Sequence, residues 1–228
     1  MMSLSPSPLQ ITRMAANMKK VVLINGSSHE QGCTYRALLE IQNQLLVNGI
    51  QSDIVFLGSK AMPDCSDCGF CYKNHRCVID DLVNEIGEQM GSVYGGIIVG
   101  SPVYYSGATG RVTSFLDRLF YSHGRDMRGL VGASVVSCRR GGNSATFERL
   151  NQYYLINDIV VPGSQYWNMI HGFDYEDADK DLEGLQTMRR LADNFAYVMK
   201  LQEIGESHGV PFPKREEKHH MTNFMDGK

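Results

Sequence analysis

The chain has 228 residues, of which 43% are hydrophobic, and this is enough for the core of one generous domain or two small ones. The formal net charge is -3, and the Lys and Arg residues form no dense block, which argues against a nucleic-acid partner. No apolar run approaches the roughly 20 residues of a membrane span, and residues 1–17 lack the apolar core of a secretory signal. We therefore predict a cytoplasmic protein without membrane contacts, in which reduced cysteines serve metal binding or redox chemistry rather than disulfides.

Apolar segments with the pattern of strands alternate along the chain with segments of helical period. The predicted strands lie at residues 20–25, 51–57, 93–100, 129–137 and 157–163. The predicted helices lie at residues 35–47, 80–90, 107–120 and 144–156, with a long closing helix at 177–202. Strands this apolar need cover on both faces, so we predict one α/β domain with a doubly wound, five-stranded parallel sheet. The domain is placed at residues 19–204, between tails at 1–18 and 205–228, and TNFM in the second tail is a candidate to dock on a partner subunit.

In such sheets ligands bind where the strands end, and the loop after the first strand reads GSSHEQGCT, residues 26–34. The hydroxyls of Ser27, Ser28 and Thr34 and the free N–H groups at the start of the next helix favour a nest for one phosphate group. The loop matches neither G-x4-G-K-[ST] nor G-x-G-x-x-G, which disfavours the nucleotide sites that those patterns mark. A serine-rich turn that only caps the helix is the alternative.

The loops after the third and fourth strands carry aromatic and cationic residues. GSPVYYSGATG, residues 100–110, offers the flat faces of Tyr104 and Tyr105 to an aromatic ring system, although tyrosines in loops also serve packing. SCRRGGNS, residues 137–144, contains both glycines and arginines. The glycines allow a ligand to approach the backbone closely, and the two arginines suit a reduced, anionic ring or a phosphate. A solvated loop with two surface arginines is the alternative.

Four of the six cysteines lie in CSDCGFCYKNHRC, residues 65–77. Thiolates favour zinc or iron-sulfur clusters, and structural zinc sites usually join two separated C-x2-C pairs. The compact C-x2-C-x2-C-x5-C run favours a cluster, while zinc and free, redox-labile thiols remain as alternatives. His75 stands in a turn within the run and is expected to face solvent. The candidate ligands are Cys65, Cys68, Cys71 and Cys77.

Five motifs in chain order resemble the flavodoxin-like NAD(P)H-dependent FMN reductases, and more closely their iron-sulfur flavoprotein branch. They cover residues 19–200 and read INGSSHEQGCT, CSDCGFC followed by CVIDD, VGSPVYYSGATGRVTSFLDRLF, SCRRGGN and DLEGLQTMRRLADNFA. The resemblance implies a flavodoxin-like, three-layer α/β/α fold with strand order 2-1-3-4-5, and FMN as the cofactor. It places the FMN phosphate among Ser27, His29, Cys33 and Thr34. It places the flavin ring against Pro102, Val103, Tyr104 and Tyr105, and the pyrimidine side of that ring beneath Arg139 and Gly141.

The same resemblance implies a [4Fe–4S] cluster on the four cysteines, with NAD(P)H as the co-substrate. The implied function is an FMN-dependent oxidoreductase that passes electrons from NAD(P)H to a quinone, a nitro- or azo-aromatic compound, oxygen or a ferredoxin-like protein. The flavin carries this chemistry, so no side chain is assigned as a catalytic acid or base, and the pair Asp117 and Arg118 is interpreted as structural. A homodimer or homotetramer is expected, because the relatives complete the flavin site with a neighbouring subunit. The alternatives are a non-enzymatic electron carrier of flavodoxin type and a flavin-free, zinc-binding sensor on the same fold.

Overall fold

The computed structural model describes residues 18–217 and residue 220, so that TNFM and most of the predicted N-terminal tail lie outside the described residues. The strands are β1 (Lys20–Asn25), β2 (Ser52–Phe56), β3 (Tyr94–Pro102), β4 (Val131–Cys138) and β5 (Met169–His171). The helices are α1 (Cys33–Val47), α2 (Phe70–Asn74), α3 (Leu82–Gly87), α4 (Gly110–His123), α5 (Asn143–Leu155), α6 (Tyr175–Ala178) and α7 (Leu182–Ser207). One turn of 3-10 helix, Gly124–Met127, follows α4.

The five strands form one parallel sheet in the order β2-β1-β3-β4-β5, which confirms the predicted topology. Successive side chains of a strand point to opposite faces of the sheet. Val21 and Leu23 accordingly pack in one buried cluster with α1 and α7, whereas Val22 and Ile24 pack in a second cluster with α3, α4 and α5. Both faces of the sheet are therefore covered by helices, and the predicted three layers are present.

The predicted fifth strand at residues 157–163 is wrong. Val160 pairs with the start of β4 through a single bridge, but Pro162 follows it and has no N–H to continue a ladder. The chain then leaves the sheet and returns as β5, which pairs with the end of β4 from Val136 onward. The three residues of β5 are too few to show a strand pattern in the sequence.

The closing helix is split where the sequence predicted one element. A single turn, α6, is capped by the Asp174 side chain, and α7 starts again after Asp181, whose carboxylate accepts the Gly184 N–H at 2.9 Å. Helix α7 then continues to Ser207, beyond the predicted end. Among the described residues, no helix combines the length and the apolar character that crossing a bilayer requires.

Two glycines bring helices against the strand ends where the site lies. A Cβ on Gly26, directly after β1, would stand 1.9 Å from the Val112 side chain of α4. A Cβ on Gly100 of β3 would stand 2.7 Å from the Thr34 side chain of α1. Because neither position tolerates a side chain, α1 and α4 start close against the carboxyl edge of the sheet.

Candidate functional site

The three predicted loops meet at the carboxyl edge of the sheet, where β1, β3 and β4 end side by side. The Val103 N–H donates to the Ser137 carbonyl oxygen at 2.9 Å, which ties the second loop to the third. The Thr34 and Ser137 hydroxyls are 2.8 Å apart, and the Tyr104 hydroxyl donates to the Ser28 hydroxyl oxygen at 3.4 Å. The structure thus gathers the loops that the sequence singled out into one surface.

A buried asparagine at the end of β1 shapes the first loop. The Asn25 Oδ1 accepts the Ser27 N–H at 3.2 Å, and its Nδ2 donates to the Glu30 carbonyl oxygen at 2.9 Å. The Ser27 hydroxyl oxygen in turn accepts the His29 N–H at 3.0 Å, which closes a tight turn and leaves the His29 side chain exposed. Sequence analysis missed Asn25, although a polar residue that closes an apolar strand was a usable signal.

Helix α1 starts without a side-chain cap, because its N-cap residue is Gly32. Within residues 18–217, the N–H groups of residues 31–34 donate to no protein acceptor. Such orphan N–H groups carry partial positive charge and bind anions. The start of α1 therefore fits a phosphate group, and the alternative of a serine-capped helix does not describe this loop.

The first two side chains of α1 turn into the protein. The Cys33 thiol is buried and donates to the Asp174 carbonyl oxygen, and burial raises its pKa to about 11. The Thr34 hydroxyl is engaged by Ser137. Because both side chains are buried, their backbone N–H groups are the atoms that face the loop, and the phosphate contacts predicted for Cys33 and Thr34 stay a prediction.

The second loop ends in a tight turn that carries its tyrosines outward. The N–H of Tyr104 donates to the Gly107 carbonyl oxygen at 2.9 Å, and the Gly107 N–H donates back at 3.0 Å. Tyr105 and Ser106 between them adopt φ values of 50° and 61°, in the left-handed region that side chains rarely occupy. The Tyr105 ring is fully exposed and the Tyr104 ring is half exposed, while Pro102 and Val103 are partly buried below them. The turn therefore presents aromatic faces that a planar ligand would cover.

The third loop lies against this turn at a glycine. Gly142 has a φ of +88°, and a Cβ there would come within 2.9 Å of Ser106 and Val103. Arg139 and Gly141 are exposed beside this contact, and nothing stands within 4 Å of a Cβ built on Gly141. Both residues are thus placed at the rim of the candidate flavin surface, where their predicted contacts stay a prediction.

The four cysteines predicted as metal ligands line one cavity between the cysteine segment, which includes α2, and helix α4. Burial raises the pKa of the Cys71 thiol, and the charges of the other three cysteines in this cavity raise it further. In the described ranges, no three His, Cys, Asp or Glu side chains are arranged to hold a single metal ion. The four cysteines share one cavity without such an arrangement, so the [4Fe–4S] cluster that the resemblance implies stays a prediction. His75 is exposed, as expected.

A buried asparagine of α3 anchors the last of these cysteines. The Cys77 N–H donates to the Asn84 Oδ1 at 2.8 Å, and the Asn84 Nδ2 donates to the Cys77 carbonyl oxygen at 3.0 Å. His123, which is 1% exposed, lies 3.4 Å from the same Oδ1, and burial lowers the pKa of its imidazole. Sequence analysis missed Asn84, because nothing along the chain shows that a helical asparagine will face a cysteine loop.

Comparisons with known proteins identify the family of the chain. The family model for NADPH-dependent FMN reductases matches residues 19–174. An iron-sulfur flavoprotein of Methanocaldococcus jannaschii is 32% identical over 190 residues, which cover 80% of this chain and 98% of the relative. An iron-sulfur flavoprotein of Methanosarcina thermophila is 30% identical over 189 residues, which cover 80% of this chain and 96% of the relative.

Among solved structures, a flavodoxin from the domain Archaea superposes with a TM-score of 0.55 at 17% identity, covering 80% of this chain and 99% of that one. This likeness shows a shared flavodoxin-like fold. The family match spans more than half of the chain, and the two iron-sulfur flavoproteins match nearly their whole length. The chain therefore belongs to the NADPH-dependent FMN reductase family, in which its relatives include the iron-sulfur flavoproteins.

Proposed function

We propose that this protein is an FMN-dependent oxidoreductase that takes electrons from NAD(P)H and passes them on through a [4Fe–4S] cluster. Family membership supports the FMN-dependent oxidoreductase, and the names of the relatives support the cluster. The observation that carries the proposal is the single surface at the carboxyl edge of the sheet, where an uncapped helix start lies beside two exposed tyrosines. This pairing suits a ligand with a phosphate at one end and a flat ring at the other.

Each loop then has a role in holding FMN. The N–H groups of residues 31–34 and the turn made by Ser27 and His29 would receive the phosphate, where the helix dipole offsets its negative charge. The segment Pro102 to Tyr105 would cover the ring and keep water from one of its faces. Arg139 would bring positive charge to the pyrimidine side, where reduction places negative charge.

FMN, when bound, supplies the acceptor for a hydride and releases the electrons in one or two steps. The residues of this chain bind and orient the ring, shield it and set its electrostatic surroundings. No buried acid or base is required for that task, and we assign none. The acceptors that we propose are a quinone, a nitro- or azo-aromatic compound, oxygen or a ferredoxin-like protein.

The ligands proposed for the cluster are Cys65, Cys68, Cys71 and Cys77, which line one cavity. A cysteine-ligated cluster carries single electrons, so it would connect a two-electron donor to a one-electron protein acceptor. We also propose a homodimer or homotetramer, because Tyr104 and Tyr105 are exposed on one side of the candidate ring site and a second copy of the chain would cover them.

The decisive experiment starts with protein purified without air. We expect a flavin spectrum with one FMN per chain and a broad iron-sulfur shoulder, with equal amounts of iron and acid-labile sulfide near four per chain. Addition of NADH or NADPH should bleach the flavin band. Zinc in place of iron, or a flavin band that neither nicotinamide bleaches, would overturn the corresponding half of the proposal.

Two matched cysteine variants sharpen this test. Cys77→Ser should lose iron and sulfide while it keeps FMN, since Cys77 lies in the cavity away from the phosphate loop. Cys138→Ser serves as the control, because Cys138 is buried at the end of β4 and outside the cysteine run. If both variants keep the same iron content, the four-cysteine assignment is wrong.

A further inference from the structure

A single arginine of α4 lies buried under the cysteine segment. The Arg118 side chain is 1% exposed, and its Nη atoms make a two-pronged ion pair with Asp81, with both N–O distances at 2.8 Å. The remaining N–H groups donate to the Pro63 carbonyl oxygen (3.5 Å), the Ile79 carbonyl oxygen (3.1 Å) and the Cys77 sulfur (3.3 Å). The full donor capacity of the guanidinium is therefore directed at this one segment.

These acceptors lie on both sides of the cysteine run. Pro63 precedes Cys65, whereas Ile79 and Asp81 follow Cys77, so one side chain holds the two ends of the segment together. The segment has little other support, since its one helix, α2, has five residues and buries none of them. Ordering such a stretch costs conformational entropy, which a few strong contacts must offset.

The contact with sulfur is selective among the four cysteines. In the described part of the chain, Cys77 is the one member of the run whose sulfur accepts a hydrogen bond from a side chain, and that bond comes from a cation. The Cys77 backbone is fixed separately by Asn84. A hydrogen bond to a ligating sulfur stabilises the added electron of a cluster and raises its reduction potential.

We propose that Arg118 is a positioning residue of the cysteine site, which closes the ends of the segment and tunes the proposed cluster through the sulfur of Cys77. The proposal rests on the proposed function, because it needs a cluster to tune. Lysine cannot replace this arginine fully, since one ammonium group cannot reach five acceptors arranged around a planar fork.

The test compares Arg118→Gln and Arg118→Lys with Arg125→Gln, a control that removes an exposed arginine just after α4. The measurements are FMN, iron and sulfide per chain, and the midpoint potential of the cluster from a spectroscopic redox titration, which does not depend on NAD(P)H turnover. We expect a more negative potential in Arg118→Gln, a smaller shift in Arg118→Lys and none in Arg125→Gln. Cluster-loaded Arg118→Gln with the wild-type potential would overturn the tuning role.

A second readout works on protein without metal. Trypsin cuts after Lys73 and Arg76 within the segment, and we expect cleavage in Arg118→Gln to be about tenfold faster than in Arg125→Gln, which corresponds to about 1.4 kcal/mol. Equal rates would overturn the role in closing the segment. Loss of iron from both Arg118 variants with FMN retained would support it.

The outcomes separate this inference from the proposed function. Wild-type protein that takes up no iron and sulfide under anaerobic reconstitution overturns the cluster, and the tuning role of Arg118 falls with it. In that case trypsin cleavage still decides whether Arg118 closes the segment. Wild-type protein that loads normally, beside Arg118→Gln with unchanged potential and unchanged cleavage, overturns the inference and leaves the function standing.

Discussion

The phosphate-and-ring surface and the cysteine cavity are built in opposite ways. The first rests on the sheet itself, with glycines that let α1 and α4 start against the strand ends and with loops that contact one another through backbone and hydroxyl groups. The second rests on a segment with one short helix, which two buried polar side chains, Arg118 and Asn84, tie to the body of the domain. Close packing at glycines therefore sets the helix positions of the first site, whereas side-chain tethers from the body of the domain position the second.

This difference predicts how each site fails. A site built on close packing is lost when a small group is added to its glycines. The fold is destabilised at the same time, because the same glycines set the helix positions. A site held by tethers fails when one side chain is removed, and the sheet remains. Four predictions test this contrast, in order of decreasing effect.

The largest effect is expected from Gly26→Ala. Its methyl group would overlap Val112 and approach the Gly100 carbonyl oxygen to 2.9 Å, so α4 must move away from β1. Overpacking costs roughly 1–3 kcal/mol and in severe cases more, and so deep an overlap should reach at least about 3 kcal/mol, so FMN should be lost along with stability. Chemical denaturation and FMN content measure both, with Gly163→Ala as the control because nothing stands within 4 Å of a Cβ there. Equal unfolding free energies for the two variants would contradict packing as the basis of this site.

Removal of the amide tether should act on the cysteine site more than on the flavin surface. Asn84→Ala leaves the N–H and C=O of Cys77 without their side-chain partners, and we expect a loss of about 1–3 kcal/mol together with a clear fall in bound iron. FMN content should stay near that of the wild type. Asn74→Ala is the control, since among the described residues Asn74 donates only to the Phe70 carbonyl oxygen on the exposed helix α2. Parallel loss of FMN and iron would show that the two sites are not independent.

Relief of backbone strain should separate stability from ligand binding at the flavin surface. Tyr105 has a φ of 50°, and asparagine tolerates this region better, so Tyr105→Asn should raise the free energy of unfolding by roughly 0.5–1 kcal/mol. The same change removes an exposed ring, and FMN should bind more weakly. Ser106→Asn relieves similar strain without loss of a ring, so it should gain stability with FMN affinity unchanged. Full FMN affinity in Tyr105→Asn would exclude this ring from the flavin site.

The smallest effect concerns pH and the histidine behind the cysteine site. Burial lowers the pKa of His123, and the charge of Arg76 adds to this, against the opposing charges of Asp126 and Glu88. Below the ordinary histidine pKa of about 6.5, the unfolded chain binds a proton that the folded protein does not, so the free energy of unfolding should fall as the pH drops from 7 toward 5.

Denaturation at several pH values checks this sign. His123→Gln should flatten the dependence on pH between 7 and 5, because the buried ring no longer resists protonation. His75→Gln, which alters an exposed histidine, should keep the wild-type slope. Equal slopes for the two variants would mean that other groups cause the dependence.

The parallel sheet, apart from its last strand, and the position of the loops at its carboxyl edge could be predicted from the sequence. Strands such as KVVLIN are apolar on both faces, and this composition already requires a parallel sheet with helices on each side. The glycine and tyrosine loops come directly after such strands in the sequence. Because parallel strands end at the same edge of the sheet, the proximity of these loops could be predicted. The compact spacing of the four cysteines also predicted that they would share one site, because all four lie within residues 65–77, and they do line one cavity.

The side chains that hold these sites, and the place of the last strand, could not be predicted and became visible in the folded protein. The position of β5 could not be predicted, because a strand of three residues is too short to show an alternating pattern of its own. The apolar run that was predicted instead is interrupted by Pro162. Arg118 is a polar residue in an ordinary helix position, and its partners Pro63, Cys77 and Asp81 lie far before it along the chain. A hydrogen bond between distant segments leaves no periodic trace in either one, so it becomes visible only when the fold brings donor and acceptor together.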